Sequence, residues 1–204
     1  IKIDWVIVDH YSLGEIWERK IKNGLKIFNK NTKILVIDDL YNRNHYCEIL
    51  LNQNYFTNDN LDKYKNILSI HSQLLIGPHY ALLGKDYFGI NNLTKKSREI
   101  KRILIYFGGV ENSIHHKVIE SISAEKFSEI IFDYIISKSS KYYSYLKNIE
   151  NKVENIYVHD IKKTLADFIL RSDLFIGAGG STSLERLCLG IPSITIVLAD
   201  NQQE

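Results

Sequence analysis

Leu174-Phe175-Ile176-Gly177-Ala178-Gly179-Gly180-Ser181-Thr182-Ser183-Leu184-Glu185-Arg186-Leu187-Cys188-Leu189-Gly190 is an apolar run that breaks into small residues and then starts a helical pattern. Leu174, Phe175 and Ile176 predict a buried strand. Gly177, Gly179 and Gly180 remove the Cβ atoms that would keep a backbone away from a ligand. Thr182-Ser183-Leu184-Glu185 fits a capping box, which predicts a helix directly after the loop. The first N–H groups of a helix have no partner inside it, and the dipole there favours an anion. Strand, glycine loop and helix in this order predict an α/β unit whose Gly179, Gly180, Ser181 and Thr182 hold a diphosphate.

The same alternation extends outward on both sides. Upstream and downstream of the loop, strands are predicted at residues 103–107, 130–136, 156–158 and 194–198, the last of them buried. Helices are predicted at 113–123, 141–149, 163–171 and 183–189. In the first half, residues 5–8 and 33–37 read as buried parallel strands ending in Asp9 and in Asp38-Asp39. Between them, residues 12–28 carry Ile16, Trp17, Ile21, Leu25 and Phe28 at helical spacing, with Glu and Lys assigned to the other face. Residues 49–51 and 74–76 are shorter strand candidates, and the Asn-rich stretch 52–60 reads as loop. Residues 86–102 are polar and charged without an apolar period, and read as a linker. The pattern predicts an α/β protein with a doubly wound parallel sheet in each of two domains, residues 1–85 and 103–204, and ligands at the carboxyl ends of the strands between them.

Composition bounds the class. The 204 residues are 45% apolar with a formal charge of +2, ordinary for a globular protein and without the basic excess of a nucleic-acid partner. No run approaches the roughly 18 to 20 apolar residues of a membrane span. Cys47 and Cys188 have no C-x-x-C companion, so neither a disulfide framework nor a zinc site is expected, and a reducing cytoplasm fits. The chain opens on Ile1, contains no methionine, and has six residues after its last predicted strand. It reads as an excerpt, incomplete at the N-terminus of the first domain and at the C-terminus of the second.

Further candidates stand at the predicted strand ends. Gly108-Gly109 lacks the G-x-G-x-x-G spacing but supplies a second small loop facing Gly179-Gly180. Glu185 is either an N3 capping residue or, one turn into the helix, an acceptor for two ribose hydroxyls. Asn201-Gln202 offers amide donors and acceptors to sugar hydroxyls or an N-acetyl group, unless it is only a polar tail. His10, between Asp9 and Tyr11, is a candidate acid or base, or a histidine satisfied by its own loop. His115 and His116 point in different directions from a helix, and His45, His71, His79 and His159 lack ligand-spaced partners, so no metal and no cofactor is expected. There is no G-x-S-x-G, Walker A or H-E-x-x-H motif.

Taken in order, Val8-Asp9-His10-Tyr11, Ile37-Asp38-Asp39, Ile49-Leu50-Leu51-Asn52, Gly77-Pro78-His79-Tyr80, Phe107-Gly108-Gly109, the Gly179 to Glu185 stretch, Leu189-Gly190-Ile191-Pro192 and Asp200-Asn201-Gln202 resemble one family over nearly the whole chain. It is the UDP-2,4-diacetamido-2,4,6-trideoxy-β-L-altropyranose hydrolases of pseudaminic acid biosynthesis, relatives of the UDP-GlcNAc transferases of peptidoglycan synthesis. The resemblance implies a GT-B fold of two Rossmann-like domains with a UDP-sugar as substrate. It implies that Gly108, Gly109, Gly179, Gly180, Ser181 and Thr182 hold the diphosphate, Glu185 the ribose, and Asn201, Gln202 and Tyr11 the sugar. These hydrolases carry a Gly-His-x-x-Arg loop whose histidine positions the water, and residues 1–204 contain none. Its place would precede Ile1, so the catalytic base is not assigned here, the excerpt itself is expected to be inactive, and Tyr11 and His10 are the remaining catalytic candidates. Two other readings stay open: a UDP-sugar glycosyltransferase of the same fold, and a non-catalytic nucleotide-sugar binding module. Oligomeric state is not legible.

Overall fold

The computed structural model describes residues 2–55, 58–69, 71–90, 99–109 and 111–198, with 58–61 described by backbone alone. The chain forms two compact units, Ile1–Leu82 and Leu83–Glu204.

In the first unit, β1 (Trp5–Asp9), β2 (Lys33–Ile37), β3 (Ile49–Asn52) and β4 (Gln73–Ile76) form a parallel sheet in sequential order. Helix α1 (Glu15–Leu25) joins β1 to β2, and α2 (Asn58–Ile67) joins β3 to β4. Val8, Ile34, Val36, Leu50 and Tyr64 make the core, with Trp17, Ile21, Leu74 and Ile76 packed against it. Asp9 pairs with Ile37, so the tails Asp9-His10-Tyr11 and Asp38-Asp39 leave the sheet side by side. That register, set by the buried face of two adjacent strands, positions this unit's candidates.

Several expectations change here. The Asn-rich stretch read as loop already enters α2 at Asn58. Asn and Asp are poor helix formers, but Tyr64 is fully buried and Ile67 packs beside it, and that packing outweighs propensity. On α1 the polar face is not wholly polar: Glu18 is buried, while Ile16 and Phe28 of the supposed apolar stripe are exposed. Glu18 is held inside by His45 and the Tyr46 N–H. β1 is buried on one face only, with Val8 inward and Trp5 and Ile7 outward.

In the second unit, β5 (Arg102–Tyr106), β6 (Ile131–Ile135), β7 (Ile156–His159), β8 (Leu174–Ala178) and β9 (Ser193–Ile196) are parallel in the order β7-β6-β5-β8-β9. The chain builds outward from β5 to β7, then returns to lay β8 on the other side of β5. Helices α3 (Ile114–Ile122) and α4 (Tyr143–Glu150) cover one face through Ile119, Ile122 and Leu146. The other face packs α5 (Ala166–Arg171) through Phe168 and Ile169, together with Tyr87, Leu189 and Ile191. Tyr87, within the segment read as linker, lies in a short 3-10 turn and belongs to this core. β9 is an edge strand whose Ile194 is exposed among the described residues, where a buried strand was expected. Helix α6 (Thr182–Cys188) ends in a Schellman motif: Gly190 has φ +64°, its N–H donates to Leu187 O, and the Ile191 N–H donates to Arg186 O.

Candidate functional site

The reversal of strand order between β5 and β8 is a topological switch point, where the loops after two neighbouring strands diverge and leave a crevice. Tyr106 is in register with Gly177, so Gly108-Gly109 and Gly179-Gly180 emerge next to each other. The glycines do different work. A Cβ on Gly177 would lie 2.2 Å from Tyr106 O and 2.4 Å from Phe175 Cε1, so this glycine serves packing between strands. Gly108 has φ +68° and makes the turn. On Gly109 or Gly180 a Cβ would meet nothing within 4 Å, so packing does not demand glycine there. Open space above a strand end is what a ligand needs.

The predicted capping box does not form. Ser181 is the N-cap, with φ −53° and ψ −31° and no side-chain bond to the helix, because its backbone is already helical instead of extended. Tight turns take up the N–H groups of Ser183 and Leu184, which donate to Gly180 O and Ser181 O. The N–H groups of Gly180, Ser181 and Thr182 have no acceptor among the described residues. Arg186 is buried against the loop: it donates to Ala178 O at 3.2 Å and to Ser183 Oγ, and its guanidinium sits 4.7 Å from the Phe175 ring centroid. Its Nε and Nη1 have no partner among the described residues, so a cation stands behind the loop without a carboxylate.

Glu185 has the Tyr87 phenol as a neighbour. Burial pushes its carboxyl above the ordinary value, and the Tyr87 phenol offsets part of that rise. Its Oε2 is buried with no partner among the described residues.

In the first unit, Tyr11 is 63% exposed beside Asp39. The Asp39 charge, then burial, then the hydrogen bond to Asp39 push the Tyr11 phenol above its ordinary value, with smaller effects from Asp9 and Asp38. Tyr11 is therefore a protonated donor at neutral pH. Asp39 Oδ1 is buried without a hydrogen-bond partner among the described residues. Arg43 fixes the loops: Nη1 pairs with Asp38 at 2.7 Å, Nε donates to Leu13 O at 2.8 Å, and Nη2 donates to His10 O at 3.1 Å. His10 Nδ1 accepts the Ser12 N–H at 3.0 Å, a bond within its own turn.

Sequence reading missed two buried polar clusters. Glu18 Oε1 lies 2.7 Å from His45 Nδ1, whose Nε2 is 4.0 Å from Asp38. Asp133 on β6 takes Arg102, Arg171 and His159 at 2.6 to 3.1 Å. Their members are too far apart in sequence for any spacing rule to join them. Tyr87 was missed for the same reason. Among the described residues no group of three His, Cys, Asp or Glu is arranged to hold a metal, and no helix is long and apolar enough to cross a membrane. Asn201 and Gln202 lie outside the described residues.

No protein-family model matches the sequence, and no curated protein matches it significantly. Solved structures do resemble it. Acinetobacter baumannii MurG superposes with a TM-score of 0.53 at 10% identity, covering 98% of this chain and 55% of that one. The pneumococcal O-GlcNAc transferase GtfA, in complex with UDP and GlcNAc, gives 0.55 at 14%, covering 98% and 44%. A GtfA/B complex gives 0.52 at 16%, covering 99% and 44%. The chain spans about half the length of these structures. With its two parallel sheets and alternating helices, it has the GT-B, Rossmann-like α/β fold.

Proposed function

We propose that this chain is the UDP-gripping and sugar-facing part of a nucleotide-sugar hydrolase, one that cleaves UDP from UDP-2,4-diacetamido-2,4,6-trideoxy-β-L-altropyranose in pseudaminic acid biosynthesis. The observation that carries the nucleotide reading is the β5/β8 switch point. There two glycine loops emerge in register, and Glu185, one turn beyond, has a buried oxygen with no hydrogen-bond partner among the described residues. In this reading Gly108, Gly109, Gly179, Gly180, Ser181 and Thr182 receive the diphosphate, with the Arg186 charge behind them, and Glu185 takes the ribose. Residues 103–204 are the UDP side and residues 1–85 the sugar side; Tyr11, and separately Asn201 and Gln202, are assigned to the sugar. The UDP and GlcNAc bound to the similarly folded pneumococcal transferase support a ligand of this class.

Hydrolysis breaks the bond between the anomeric carbon and the diphosphate oxygen. The electron pair leaves with UDP, water supplies the new C–O bond, and its proton passes to a base. UDP is already a good leaving group, so the loops need only stabilise its developing charge. Tyr11, held protonated by the Asp39 charge beside it, orients water or a sugar hydroxyl and is not itself the base.

The fold similarity to glycosyltransferases also favours a second reading, transfer to an acceptor. The full-length protein incubated with the UDP-linked sugar and no acceptor separates them. Stoichiometric UDP and free sugar by NMR are expected; UDP release only when an acceptor is added would establish the transferase, and tight binding without release under either condition a non-catalytic module.

A further inference from the structure

Tyr11 is an exposed side chain on a turn, so its position depends on how the backbone around it is held. Within the turn, the Leu13 N–H donates to His10 O at a long 3.4 Å and the Ser12 N–H to His10 Nδ1 at 3.0 Å. The stronger hold comes from outside. A guanidinium carries five N–H donors in a planar fork, and Arg43 uses them on both sides of Tyr11. Its Nη2 donates to His10 O at 3.1 Å, and its Nε donates to Leu13 O at 2.8 Å. The remaining nitrogen, Nη1, donates to Asn42 Oδ1 at 3.0 Å and lies 2.7 Å from Asp38 Oδ1, an ion pair without hydrogen-bond alignment. Asp38 is a fixed anchor. It is buried, its Oδ2 accepts the Leu40 and Tyr41 N–H groups at 3.3 and 3.0 Å, and its carbonyl accepts the Tyr64 hydroxyl at 3.0 Å. One side chain thus ties the turn after β1 to the tail of β2.

Bringing Arg43 back over these groups strains the chain. Tyr41, between Asp39 and Arg43, has φ +41°, the one positive φ at a non-glycine among the described residues. A residue persists there only where its surroundings over-determine it. Gly14 lets the returning segment close in: a Cβ on it would stand 3.2 Å from Asn44 O, which accepts the Glu15 N–H at 2.8 Å. We infer that Arg43 is a positioning residue: its guanidinium fixes the 10–13 turn against the Asp38 tail and so holds the Tyr11 hydroxyl where the sugar is met. The inference rests on the reading that assigns Tyr11 to the sugar, and adds to it the residue that sets where that hydroxyl stands. A lysine would keep the charge beside Asp38, but its single nitrogen has no fork to reach both carbonyls as well.

The test is a double-mutant cycle on the full-length enzyme with the UDP-linked sugar. Arg43→Lys is expected to lower kcat about tenfold, since a small displacement of an orienting group is enough, with UDP affinity unchanged. In the Tyr11→Phe background the same substitution is expected to lower kcat no further, because the hydroxyl it positions is gone. A role in folding alone predicts another pattern: kcat per folded molecule unchanged, or the same fractional loss with and without Tyr11→Phe. Either result overturns the inference. Should Arg43→Lys fold poorly, Asp38→Asn combined with Arg43→Gln removes both charges and leaves neither orphaned. The cycle run with that pair carries the same expectation, a loss that disappears in Tyr11→Phe, and a loss that remains overturns the inference. If the unsubstituted enzyme releases no UDP, or if Tyr11→Phe alone leaves kcat unchanged, the functional reading fails and takes this inference with it. Hydrolysis in which Arg43 and Tyr11 act independently removes the inference alone.

Discussion

A tyrosine two residues past a strand end is chemically defined only by what stands beside it. Tyr11 and Asp39 are adjacent because β1 and β2 are in register, and the Asp39 charge is the largest influence on the phenol. Asp39→Asn should therefore return the Tyr11 titration toward its ordinary value of 10.0, followed by NMR of the labelled ring; an unchanged midpoint would mean the carboxylate does not act on it. If the hydrolase reading holds, Tyr11→Phe in the full-length enzyme should lower kcat about 100-fold with UDP affinity unchanged, the size of loss that misorienting a reactant produces. His10 differs at this scale, since its Nδ1 is already used by Ser12. The sequence motif Asp9-His10-Tyr11 made the two residues equal candidates, and only their hydrogen bonds separate them.

At the scale of elements, the two ends of one glycine loop make opposite predictions. Gly177→Ala drives a methyl into the Tyr106 carbonyl and the Phe175 ring, and the sheet backbone cannot yield, so it should destabilise the fold by at least about 1–3 kcal/mol in chemical denaturation. Gly180→Ala meets open space and should leave stability unchanged while weakening UDP binding about tenfold, seen by calorimetry. Equal stability losses at both positions would remove the distinction. The alternation of strand and helix was legible because apolar runs such as 33–37 and 103–107 can be buried only in a sheet covered on both sides. What was not legible depends on partners distant in sequence. Tyr64 makes α2 from poor helix formers. Likewise His45 makes Glu18 a core residue, and the helical backbone of Ser181 removes the cap that local spacing favoured. The site itself was half legible: the glycine loops showed in the sequence, but their adjacency comes from the β7-β6-β5-β8-β9 order.

At the scale of the whole molecule, carboxyl groups shifted in opposite directions shape stability against pH. Asp133 is held below its ordinary value of 3.8 despite the opposing effect of burial, because Arg102, His159 and Arg171 favour its charged form. The unfolded chain thus binds its proton more readily. The stability Asp133 contributes is fully present above pH 3.8 and is lost as pH falls through its lower folded value. Asp133→Asn should cost about 1–3 kcal/mol at neutral pH, because it leaves the partly exposed Arg102 and Arg171 without their carboxylate, and should flatten the acid limb of stability. Glu185 has the reverse sign. Its folded carboxyl lies above 4.5, so its favourable contribution is present below that value and lost as pH rises through the folded one. At neutral pH the charged Glu185 is therefore a liability to the free protein. Glu185→Gln should raise stability at pH 7, with the gain shrinking near pH 4, while UDP affinity falls; denaturation at both pH values checks the first and calorimetry the second. A stabilising substitution that removes binding is the signature of a residue kept for its ligand, since site strain is retained where function requires it. Loss of stability at pH 7 in Glu185→Gln would instead make Glu185 a structural group satisfied by Tyr87.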